Sequence, residues 1–90
     1  MPRLLATRQL EVGIADVDRF VAAARVRRSV AQAHSVHYWV FADVEHRNRF
    51  TEFVEAGASD RLDAVLVAFA AGSDASDDRN FTRSTEFTLD

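Results

Sequence analysis

Apolar residues recur along this chain in two rhythms, and the changes of rhythm mark its elements. From Leu4 to Val12, Leu4, Ala6, Leu10 and Val12 share one parity, broken by Arg8, which predicts a strand with one favoured face. Gly13 then supplies a turn, and Asp16 stands where a carboxylate would cap the first free amides of a helix. Val17, Phe20, Val21 and Ala24 follow at helical spacing, and the alanine-rich continuation extends this helix to about Ala33. The period shortens to two again in "VHYWVF", Val36 to Phe41, β-branched and aromatic throughout apart from His37. From Arg49 to Ala56, Phe50, Glu52 and Val54 alternate with Thr51, Phe53 and Glu55. The polar "DVEHRN" between the two runs has hairpin-loop length, so they read as an antiparallel pair, with a helix over "RNRFTEFVEAG" as the competing reading. Leu62, Val65, Leu66 and Phe69, at i, i+3, i+4 and i+7, predict a second helix capped by Ser59 or Asp60 and stopped at Gly72. A polar, acidic loop over 73–80 leads to an alternating run from Phe81, the final strand.

The predicted order, βαββαβ, is the ferredoxin-like α+β arrangement: a four-stranded antiparallel sheet with two helices on one face, here as a single domain over 1–90. Such a sheet leaves its other face bare, and its strands should alternate apolar and polar residues. "VHYWVF" is apolar on both parities except at His37. Both faces are therefore expected to be covered, one by the helices and the other by a second copy of the sheet. A chain of 90 residues without cysteine has no disulfide to supplement its small core, which gives self-association a further reason.

Composition narrows the function. With 48% hydrophobic and 28% charged residues the chain reads as a folded domain. No apolar run approaches a membrane span and the N-terminus has no signal pattern, so the expected location is cytoplasmic, with no membrane partner. All eleven basic residues are arginine, yet the net charge is −3, which argues against nucleic acid as a partner. Arg25, Arg27 and Arg28 form the one basic cluster and are read as the solvated side of the first helix. Histidine spacing offers no metal site, and with three glycines there is no phosphate loop or nucleotide fingerprint, so no cofactor is expected.

The run "YWVFADVEHRNRFTEFVEA" in its βαββαβ setting resembles the dimeric α+β barrel proteins of the antibiotic biosynthesis monooxygenase-like family. The resemblance implies a homodimer paired sheet to sheet, with a small-molecule pocket between sheet and helices in each subunit. It also implies a choice of chemistries: oxidation of aromatic substrates by oxygen without metal or flavin, haem degradation, or isomerisation and cyclisation of metabolites. The asparagine that haem-degrading members carry on the first strand has no counterpart, since Arg8 and Gln9 stand there and Asn48 and Asn80 fall in loops.

Candidate residues follow from the parities. With the hairpin loop centred on His46, Trp39 faces Phe53 and His37 faces Glu55. A carboxylate neighbour would make His37 a candidate general base, or simply one half of a structural pair. Glu52 shares a parity with Phe50 and Val54 and would be buried, either as an acid–base group or in a salt bridge to Arg49, Arg8 or Arg83. Tyr38 completes the candidate catalytic set. Trp39, Phe41, Phe53, Leu66 and Phe69 are the expected lining of a pocket for a small apolar or aromatic molecule, while the same aromatics could equally serve core and interface. His34, at a helix end, needs no chemical role. The resulting reading is a homodimeric small-molecule-binding protein, possible cofactor-independent monooxygenase, against a non-enzymatic assembly module or a small-metabolite isomerase or cyclase.

Overall fold

The computed structural model describes residues 2–71 and 81–89. Strand β1 (Leu4–Glu11) leads through a 3-10 turn (Ile14–Asp16) into helix α1 (Val17–Ala33). The hairpin of β2 (His37–Ala42) and β3 (Arg49–Ala56) follows, then α2 (Ser59–Ala71) and β4 (Thr82–Thr85). The four strands form one antiparallel sheet in the order β2-β3-β1-β4, the ferredoxin-like arrangement. No helix among the described residues is long and apolar enough to cross a membrane.

Register divides the side chains into two sets. Tyr38, Val40 and Ala42 of β2 lie opposite Val54, Glu52 and Phe50 of β3, which in turn pair with Ala6, Arg8 and Leu10 of β1. This set faces the helices. Ala6, Val54 and Ala56 join Ala31, Val36, Leu62, Val65, Leu66 and Phe69 in one buried cluster, drawing on both helices. Each large apolar side chain so buried contributes about 1.5–3 kcal/mol. The other set, His37, Trp39 and Phe41 with Glu55, Phe53 and Thr51, lies on the sheet face that neither helix covers. Trp39 is 44% exposed there and Phe41 58%. The competing helix over the third strand is excluded, because β3 pairs with β1 along its whole length and with β2 from Phe50 to Glu55.

Local chemistry fixes the connections, in places differently from expectation. Asp16 caps no helical amide; its carboxylate is taken by Arg19, one turn along. Helix α1 ends in a Schellman-type turn, with Val36 N–H donating to Ala31 O and Ser35 N–H to Gln32 O. Ser35 holds the left-handed conformation that closes it, at φ 58°. In the hairpin loop the Asp43 carboxylate accepts from the amides of Glu45 and His46, at 2.9 and 2.8 Å, and these bonds hold its pKa below the ordinary value. The final strand is shorter than the alternation from Phe81 suggested: Glu86 leaves the ladder, exchanging backbone and side-chain bonds with Arg3, and Phe87 and Leu89 are exposed. The expected stop at Gly72 and the acidic loop over 73–80 lie outside the described residues.

Candidate functional site

Three charged side chains penetrate the helix-facing layer, and they meet. Arg8 interrupts the apolar parity of β1, Glu52 that of β3, and Arg27 that of α1, where it continues the line of Phe20, Ala24 and Ala31. Glu52 is wholly buried. Its Oε1 accepts from Arg8, with Nε at 2.9 Å, and its Oε2 accepts from Arg27 Nε at 2.7 Å and from the Tyr38 hydroxyl. A single carboxylate thus spans two guanidinium groups and a phenol. Burying one charge without such partners would cost several kcal/mol.

The network settles the condition of its members. Burial, reinforced by the Glu52 charge and hydrogen bond, pushes the Tyr38 phenol far above its ordinary pKa. Tyr38 is therefore a proton donor held to Glu52, not a phenolate. Burial opposes the Arg27 charge, but Glu52 and Tyr38 outweigh it and leave the guanidinium more firmly protonated than usual. Donors thus occupy both oxygens of the Glu52 carboxyl.

Two clefts flank α1. The first, about 440 Å³, lies between α1 and the β2 edge of the sheet, walled by Phe20, Val21, Ala24, Val40 and Phe50, with Tyr38 and Trp39 on the strand side and Arg25 and Arg28 on the helix side. Its volume falls within the range of small-molecule sites. Phe20 and Phe50 stack at 4.3 Å between centroids and form its inner wall. The second, about 470 Å³, lies on the other side of Phe20, between α1 and the end of β1.

The residues expected to act together are distributed over both faces. Tyr38 and Glu52 meet on the helix side, while His37 lies on the uncovered face with its Nδ1 3.1 Å from Glu55 Oε1, in the register expected from the loop. Phe41 and Phe53 pack edge to face at 5.5 Å on that same face, and Trp39 stands beside His37 and reaches the first cleft. Leu66 and Phe69 belong to the core beneath the sheet's opposite side, with Phe69 edge-on to Tyr38 at 5.9 Å. One pocket therefore does not collect all five expected lining residues.

Arg27 is the member that the sequence reading set among solvated cations; it is 7% exposed. Its place on the line of Phe20, Ala24 and Ala31 was the available signal. Phe20 and Phe50 likewise follow from periodicity, but their role as a shared wall needed the stacking geometry. Among the described residues no group of histidine and carboxylate side chains could hold a metal ion.

Neither a family model nor a curated protein matches the chain. Solved structures do. A Pseudomonas aeruginosa protein is similar at a TM-score of 0.70 with 13% identity, covering 99% of this chain and 95% of its own. A Bordetella bronchiseptica protein named as a candidate antibiotic biosynthesis monooxygenase is similar at 0.64 with 16% identity, covering 99% of both chains. A structure named as an antibiotic biosynthesis monooxygenase is similar at 0.60 with 15% identity over the full length of both. At these identities the likeness is one of fold, and it agrees with the family resemblance of the hairpin sequence.

Proposed function

We propose that the protein is a homodimer that binds a small apolar or aromatic molecule in the cleft between α1 and the β2 edge. The observation that carries this reading is the cleft itself: a stacked Phe20–Phe50 wall, aliphatic sides, and Tyr38 and Trp39 at its strand side. Aromatic walls with few polar groups suit a flat, apolar ligand, and the two arginines favour one with a phenolic or enolic oxygen. Tyr38 and Trp39 would contact the ligand, with Glu52 holding Tyr38 in place. Leu66 and Phe69 would support that wall from the core. Phe41, Phe53 and His37 would instead meet the second copy across the uncovered sheet face.

Monooxygenation is the reaction this reading supports, since two similar structures are named as antibiotic biosynthesis monooxygenases, and the cofactor-independent form of it is the one the family resemblance implies. Arg25 and Arg28 would stabilise the enolate of an aromatic ketone with an activated CH2, lowering the pKa at which its proton leaves to solvent. The enolate would pass electrons to dioxygen, the CH2 becoming C=O and the second oxygen atom leaving as water, with the substrate supplying all four electrons. The test is oxygen uptake with such a polycyclic ketone, in buffer free of metal and flavin. The reading expects turnover above the uncatalysed rate, and its loss in Ala24→Trp, which fills the cleft. Binding of the ketone without oxygen uptake would leave a binding protein; neither binding nor uptake would favour the assembly module.

A further inference from the structure

The second cleft has a different chemistry from the first. Its apolar wall is Leu10, Val12 and Phe20, and Ala23 leaves room above them. At its buried end stand Arg8 and Arg27. Arg27 has a side chain only 9% exposed, and its Nε is committed to Glu52 and Tyr38. Its Nη1 and Nη2 donate to no protein acceptor among the described residues. Arg27 lines the cleft, and the four Nη N–H donors of this largely buried side chain call for an acceptor. The remaining charged groups are compensated: Asp16 by Arg19, and Glu11 by Arg49 at 3.3 Å.

We propose that this cleft is a binding site for a small organic carboxylate, whose two oxygens accept from the Nη1 and Nη2 fork of Arg27 while its apolar body lies along Leu10, Val12 and Phe20. The planar fork matches two coplanar carboxylate oxygens. Glu11 and Asp16 also line the cleft, and they disfavour a phosphate dianion more than a monoanion. Because Phe20 separates this cleft from the first, the inference stands apart from the function proposed above.

The test is an ¹⁵N NMR titration of the full chain with benzoate, benzamide and inorganic phosphate as probes. Benzoate is expected to shift the Arg27 Nε–H resonance and the amides of Val12 and Ala23, with the isosteric neutral benzamide having little effect. Arg27→Lys keeps the positive charge beside Glu52 but removes the fork, and should weaken benzoate by roughly tenfold or more. Ala23→Trp fills the cleft without touching the charge network, and should abolish binding in a protein whose spectrum stays dispersed; it decides the matter if Arg27→Lys fails to fold. Benzamide binding as tightly as benzoate, phosphate binding more tightly than either, no binding of benzoate, or benzoate binding unchanged in the folded Ala23→Trp protein would each overturn the proposal.

Discussion

At the scale of single residues, the account turns on Glu52. Two arginines and a tyrosine donate to the Glu52 carboxyl, and its removal leaves two buried guanidinium groups without it. Glu52→Gln is therefore expected to destabilise the fold by about 3–5 kcal/mol in urea unfolding, because it breaks a buried ion pair. A loss under about 1 kcal/mol would mean that the network matters little to folding. Tyr38 offers a second measurement, since it is the only tyrosine and the phenolate band reports it alone. Its folded pKa lies above its unfolded value, so its contribution to stability is complete below the unfolded pKa and declines as pH rises beyond it. In alkaline titration the phenolate band should stay absent at a pH of about 11 while circular dichroism reports a folded chain. A phenolate appearing near pH 10 in the folded protein would show that Glu52 does not hold the hydroxyl.

At the scale of elements, the period of apolar residues predicted both helices and strands β1 and β3 because each has one face to bury, whereas β2 was read from its β-branched and aromatic composition and β4, all exposed, from alternation alone. The alternation in Arg49–Ala56 favoured a strand but left a helix as the competing reading, which the pairing settled: in β3, Phe50, Glu52, Val54 and Ala56 are buried, Thr51, Phe53 and Glu55 half-buried and Arg49 exposed. Side-chain partnership was less legible. Arg27 is a cation in a charged cluster by sequence, and only the packing of α1 over β2 and β3 brings it to Glu52. Asp16 failed as a cap because Arg19, three residues on, competes for its carboxylate. The expected lining split for a related reason: parity puts Trp39, Phe41 and Phe53 on one sheet face, Leu66 and Phe69 stand on α2, and only the packing of the helices on the sheet says that the two sets lie on opposite sides. Ser35 was silent in the sequence, where glycine would have signalled the left-handed turn that ends α1. Replacing it should remove strain, so Ser35→Gly is expected to raise stability by up to ~1 kcal/mol, read as a higher urea midpoint. An unchanged or lower midpoint would show that the turn carries no such cost.

At the scale of the whole molecule, the uncovered sheet face poses the largest question. Trp39, Phe41 and Phe53 lie together on it, beside the Arg3–Glu55 ion pair and the His37–Glu55 hydrogen bond. An apolar centre with a charged border is the anatomy of a protein interface, and a 90-residue chain gains more than most from covering it. The similar solved structures share the fold but supply no partner surface, so the second copy rests on this face alone. The most direct test of the account is a native mass spectrum of the purified protein, recorded for the wild type and for Phe41→Glu. The account predicts a wild-type dimer, additional small-molecule mass when an aromatic ligand is supplied, and a folded monomer for Phe41→Glu. A wild-type monomer that retains no aromatic ligand would contradict both the proposed dimer and the proposed cleft.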